Sequence, residues 1–256
     1  MESTLEQLFK RTNNPESQSD LEQASGQLQE LLQSPQIIPP IINLFSTTSD
    51  SLVRKSCLLY LNQVIKSVWM DLPEELKIML KQFIFSFFTT DAKCPFNNMI
   101  CTLLENIYDN DDNGKMEIMA LLLSNWQSHP EICSLALEAI SEHFDWETNE
   151  NSETIIPQIL APVSQFLVSP QHDIQVSGLK IFSELFGTIP NYEEIGKFIE
   201  IVNQIMLNSL NYTDSEYSTI WNSVNLIMSS FSSLNKEEIG AAFNILRQSA
   251  LLISSN

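Results

Sequence analysis

The stretch SDSLVRKSCLLYLNQVIKSVW, Ser49 to Trp69, decides the fold. From Val53, apolar residues follow at Cys57, Leu58, Leu61 and Ile65, offsets of 4, 5, 8 and 12. These offsets fall on one face of a helix that turns every 3.6 residues, so the stretch predicts an amphipathic helix with one buried side. The same spacing returns from Phe96 (Ile100, Cys101, Leu104, Tyr108), from Ile132 (Ala136, Leu137, Ile140, Phe144) and from Ile174 (Gly178, Leu179, Phe182, Phe186). Weaker copies start at Asp20 (Ala24, Ser25, Leu28, Leu32) and at Glu216 (Ile220, Trp221, Val224, Met228).

Successive copies lie 33, 43, 36, 42 and 42 residues apart. That is close to the ~40 residues of a two-helix HEAT or armadillo unit. A second set of helices with its own start signals fills the gaps. Pro39 and Pro40 open Ile41 to Phe45, and Pro73 with Glu74 and Glu75 opens Leu76 to Phe88. Asn113 is placed to cap Met116 to Gln127; Ser152 and Pro157 precede Ile159 to Val168; Pro190 precedes Ile195 to Leu210. Asn235, with Glu238 three residues on, would cap Ile239 to Ile253. A lone helix pair cannot bury its apolar face, so neighbours must stack. The sequence therefore predicts an all-α protein. Residues 1–256 are expected to form one solenoid, a right-handed α-α superhelix of about six HEAT/armadillo-like helix pairs, with function on its concave surface.

Composition agrees. Only 6 Gly and 11 Pro punctuate 256 residues, too few for the tight turns of a β-sandwich. The net charge of −19 is uneven: residues 1–93 hold 8 basic and 11 acidic side chains, residues 94–256 hold 5 and 21. A field of this sign repels nucleic acid and anionic membranes. It suits a basic protein partner, with acid that merely keeps the chain soluble as the alternative. Glu2 and Glu6 stand where a secretory leader would carry basic and then apolar residues, which predicts a chain that is not exported. Asn211-Tyr212-Thr213 is then a sequon in letters only. The richest apolar runs, Ile37 to Phe45 and Phe83 to Phe88, fall short of the about 20 residues a membrane helix needs, so no membrane insertion is expected.

No constellation points to catalysis, a cofactor or a metal. Cys57, Cys94, Cys101 and Cys133 sit in apolar helical patterns with no CxxC and no histidine at ligand spacing, and read as reduced thiols. Asp109, Asp111, Asn113 and Gly114 begin like a calcium loop, but position twelve is Ala120 where a bidentate Glu is required. His143 lies near Asp145 and His172 beside Asp173, yet no nucleophile elbow or reactive cysteine accompanies them. Glycine loops for phosphate and an HExxH helix are absent from the sequence.

The segment Ser49 to Phe88 goes further than periodicity. Val53, Arg54, Cys57, Leu61, Ile65, Trp69, Leu72 and Pro73 stand in the register of the second inner helix of importin-β-type nuclear transport receptors (karyopherins). With the short helix and polar helix of Leu5 to Leu32 before it, the resemblance covers residues 3–90, leaving 91–256 as further acidic HEAT repeats. Asn62 and Gln63 depart from the family's usual Lys-Asn. The resemblance implies a nuclear transport receptor whose first repeats bind the GTPase Ran in its GTP form. It also implies a basic cargo protein on the concave surface, nucleoporin Phe-Gly segments between outer helices, and shuttling between cytoplasm and nucleus as a monomer. Arg54, Asn62, Gln63 and Lys66, on the polar side of the second inner helix, are the candidate Ran contacts; the same four also fit a merely solvated face. Trp69 reads as core. A HEAT scaffold of a cytosolic complex, without Ran, is the alternative.

Overall fold

The computed structural model describes residues 2–90, 94–143, 152–189, 192–230, 244 and 246–248. Among them every regular element is helical. Phe144, Asp145, Pro190, Asn235 and Glu238 lie outside the described residues, as does most of the helix expected from Ile239 to Ile253; residues 244 and 246–248 within it are helical. The chain divides into two units, Met1–Leu121 and Leu122–Asn256.

In the first unit the helices are α1 (Glu2–Asn13), α2 (Gln18–Leu32), α3 (Ile38–Thr47), α4 (Ser51–Val68), α5 (Glu74–Thr89), α6 (Asn97–Asn110) and α7 (Lys115–Asn125), the unit boundary falling within α7. Outer helices α1, α3 and α5 touch in succession, and inner helices α4 and α6 pack side by side. Helix α2 leans on α1 and on the 3-10 turn Pro35–Ile37 and does not run along α4. Start signals act where elementary chemistry puts them. The Asp50 carboxylate accepts from the N–H groups of Leu52 (2.9 Å) and Val53 (3.3 Å), satisfying two of the orphan donors that open α4. Ser17 does the same for Asp20 in α2, and Pro73 caps α5 with Glu74 and Glu75 in its first turn. Before α7 the cap is supplied by Asp111, whose carboxylate accepts from the Gly114 N–H at 3.0 Å; the helix starts at Lys115, and Asn113 has no part in it.

In the second unit follow α8 (Pro130–Ser141), α9 (Ser152–Leu167), α10 (His172–Leu185), α11 (Tyr192–Leu207) and α12 (Asp214–Ser230). Helix α10 is central, packed against α8, α9 and α12, while α9 and α11 pair on the outer side. Helix α9 starts at Ser152, seven residues before the start read from the sequence, and carries Pro157 and Pro162 inside it. Each proline removes one backbone donor, Pro157 the one that would reach the carbonyl of residue 153 and Pro162 the one that would reach the Gln158 carbonyl, and the helix continues past both.

The inward positions of the repeat are buried as the spacing requires: Val53, Cys57, Leu58, Leu61 and Ile65 in α4, and Ile174, Gly178, Leu179 and Phe182 in α10. Each such aliphatic side chain contributes about 1.5–3 kcal/mol. Gly178 is small for a reason, since a Cβ there would sit 2.7 Å from the Cβ of Phe166 and 3.0 Å from the backbone nitrogen of Leu167. Helices α9 and α10 cross at this glycine.

Candidate functional site

Helix α4 carries all four candidate contact residues, and the structure separates them into two kinds. Arg54 is half-buried, with its guanidinium 4.4 Å from the ring centre of Phe45 and 5.8 Å from that of Phe96. Phe45 itself meets Phe83, Phe87 and Phe96 edge-on at 5.4, 5.8 and 6.3 Å. The arginine therefore closes an aromatic cluster, a favourable use of a weakly hydrated cation. Asn62 is half-buried and accepts from the Asn106 side chain at 2.6 Å, and Asn106 also donates to the Thr102 carbonyl. That amide pair stitches α4 to α6. Gln63 and Lys66 are exposed, and among the described residues Lys66 has no ion-pair partner.

The exposed stripe of α4 is broader than the polar positions singled out from the sequence. Leu52 (47% exposed), Lys55, Leu59 (53%), Gln63 and Lys66 succeed one another at steps of three and four residues, and Met70 (74%) extends the line into the 3-10 turn Trp69–Asp71. The signal for Leu52, Leu59 and Met70 was present in the sequence, as apolar letters on the face opposite Val53 and Leu61. Behind the stripe the helix is rigidly seated. Cys57 is fully buried and its thiol is pushed up to about 12 by burial, and Trp69 is buried with the Lys77 ammonium 5.9 Å from its ring centre.

Beside the stripe, a groove of about 580 Å³ separates α2 from α4, with Leu28 and Leu32 on one wall and Val64 and Val68 on the other. Tyr60, buried and with its hydroxyl pushed up to about 12 by that burial, donates to the Leu32 carbonyl at 2.7 Å.

The half calcium loop holds an ammonium. Lys81 Nζ lies 2.7 Å from Asp111 Oδ2 and 3.2 Å from Glu117 Oε2, with the Lys81 and Asp111 side chains each 14% exposed. Among the described residues no three His, Cys, Asp or Glu side chains are grouped to hold a metal ion. The histidines do not converge: His129 precedes α8 as its N-cap residue, and His172 stacks on Tyr212 with ring centres 4.1 Å apart. In the second unit, Glu138 of α8 and Glu142, the C-cap residue just after it, bracket Lys180 of α10. Glu184, one turn on, is raised above the ordinary carboxylate value by burial and by Glu142, against the pull of Lys180. This face keeps more negative than positive charge. Among the described residues no helix is long and apolar enough to cross a membrane.

Comparison with known proteins adds three findings. No curated protein matches the sequence. Solved structures that match include an engineered protein determined in a structural-genomics programme, with 16% identity, TM-score 0.44, 88% of this chain and 97% of that chain covered. Another is a designed armadillo repeat protein in complex with the peptide (KR)4, with 12% identity, TM-score 0.39, and 96% and 98% covered. Residues 24–90, from the middle of α2 to the end of α5, match the importin-beta N-terminal domain, and the register read from Val53 to Pro73 lies wholly inside that match.

Proposed function

We propose that the chain is the N-terminal region of an importin-β-like nuclear transport receptor, binding Ran in its GTP form through the exposed stripe of α4. The observation that carries this reading is the coincidence of the domain match at residues 24–90 with that stripe. In a chain of net charge −19, α4 sets Lys55 and Lys66 beside Leu52, Leu59 and Met70, a basic and apolar strip fit for an acidic protein surface. Gln63 and Lys66 are the contact residues in this reading; Arg54 and Asn62 position the helix from behind. The acidic inner face around Glu138, Glu142 and Glu184 would take a basic cargo. Phe-Gly nucleoporin segments would meet the outer helices, and the protein would shuttle between cytoplasm and nucleus as a monomer, without catalysis and without nucleic acid.

A HEAT scaffold of a cytosolic complex without Ran is the second reading. It draws on the engagement of two of the four expected contacts, Arg54 and Asn62, within the chain. Retention of Ran loaded with a non-hydrolysable GTP analogue or with GDP separates the two. The transport reading expects selective retention of the GTP form, weakened roughly tenfold by Gln63→Ala with Lys66→Ala at unchanged thermal stability. Equal retention of both forms, or none, selects the scaffold.

A further inference from the structure

We propose that α2 is a two-position strap: in the described position it stands off α4, and in a second it lays Leu28 and Leu32 onto Val64 and Val68 and fills the groove between them. The inference is independent of the partner that α4 binds.

The first support is how lightly α2 is held. Of its 15 residues only Ala24 is fully buried, whereas α4 buries seven of 18. Segments with few buried apolar contacts open at a small fraction of the global unfolding free energy. The second is what a finished inner pair looks like in the same unit. Helices α4 and α6 lie side by side and are joined by the Asn62–Asn106 bond, while between α2 and α4 there is a groove. The third is that both walls of this groove carry aliphatic side chains, half-buried Leu28 and Leu32 on α2 facing exposed Val68 and buried Val64 on α4. Each wall is the other's natural cover, so closure removes apolar surface from water on both sides.

Besides its packing along α1, α2 is attached through side chains at its two ends. Near its start, Arg11 binds the Asp20 carboxylate at 2.5 Å and the Gln23 amide oxygen at 3.1 Å. At its end, Tyr60 rises from α4 and gives its hydroxyl to the Leu32 carbonyl. A tyrosine in that place is a strut: it holds the end of α2 at ring's length from α4, and the bond must be given up for Leu32 to reach Val68. Between the two attachments Gly26 meets nothing within 4 Å of where a Cβ would be, so the middle of the strap is unobstructed on that side.

Cross-linking tests the second position. Leu28→Cys is combined with Val64→Cys, and separately Leu32→Cys with Val68→Cys, both in a Cys94→Ser background, since the other native thiols are buried. A disulfide needs Cα atoms within about 7 Å, the approach that closing the strap brings about. Gln27→Cys with Val64→Cys is the control, residue 27 being exposed and outside the groove. Under diamide oxidation both groove pairs should form an intramolecular disulfide, seen by mass spectrometry of tryptic fragments, while the control stays reduced. Tyr60→Phe should speed the groove cross-links about fivefold, the effect of losing one hydrogen bond of ordinary net strength. Groove pairs that oxidise no faster than the control, in variants with wild-type helical content by circular dichroism, overturn the strap. An unchanged rate in Tyr60→Phe overturns the strut. The two pairs back each other should one of them fold poorly.

Discussion

Replacing Gly178 by alanine should destabilise the protein, although alanine is the better helix former. In an open helix this change gains about 1 kcal/mol. At Gly178 the new methyl meets the Phe166 Cβ at 2.7 Å, the Leu167 nitrogen at 3.0 Å and the Phe166 carbonyl carbon at 3.1 Å. Carbon atoms at ease stand about 3.5–4.0 Å apart, so α9 and α10 must part by roughly 1 Å. None of the three opposing atoms is the tip of a side chain that could turn away. Overpacking of this sort costs about 1–3 kcal/mol, and rigid neighbours put it in the upper half of that range. The net loss is then about 1–2 kcal/mol, a fall in Tm of roughly 3–6 °C for a chain of this length. Gly196→Ala in α11 supplies the opposite sign, because nothing lies within 4 Å of its Cβ. It should gain about 0.5–1 kcal/mol. Thermal and urea unfolding followed by circular dichroism at 222 nm reads both variants. If Gly178→Ala is as stable as the parent, or more so, the close crossing of α9 and α10 is wrong.

Cys57→Asp places a carboxylate at a fully buried position of α4 and should abolish cooperative unfolding of the first unit, a cost of several kcal/mol; a sharp transition near the parent Tm would contradict this. Lys81→Met leaves Asp111 without its partner and should cost about 1–3 kcal/mol at neutral pH. Burial alone would lower the Lys81 pKa, but the hydrogen bonds to Asp111 and Glu117 outweigh it and the net shift is upward. The stabilisation it gives is thus complete below the ordinary value of 10.5 and lost as pH rises through the folded value, so variant and parent should converge above that range in a pH series of melts. Glu184 has a raised carboxyl pKa, which means that its ionisation is penalised in the fold and that the penalty grows as pH rises through the raised value. Glu184→Gln should therefore raise Tm at pH 7, with the gain fading towards pH 4; a gain that persists at pH 4 would point to packing instead.

Much of the architecture was legible in periodicity because a buried helix face repeats its demand at each turn. Helices α4, α6, α8 and α10 lie where the four strong copies put them. The weak copy at Asp20 behaves differently for a physical reason. Asp20 and Ser25 occupy two of its five inward positions, so in the described position α2 packs on α1 and does not run along α4. The start of α9 was obscured by Pro157, which in sequence reads as a first-turn residue but stands inside the helix. Among the candidate contacts, spacing alone could place Gln63 and Lys66 outside. It could not show that Phe45 and Phe96, from other parts of the chain, fold over Arg54, or that Asn106 reaches Asn62. Neighbours on a helix are written in its own sequence, whereas those brought by other helices are not.

The ammonium of Lys81 within the Asp111 loop has a last consequence. A loop that borrows a cation from solution tightens or slackens with supply, and chelators undo it. Here the positive charge is tethered by covalent bonds to α5 and cannot diffuse away, so the joint between α6 and α7 carries its own counter-charge. What begins in the sequence as a fragment of a sensor ends as a permanent rivet.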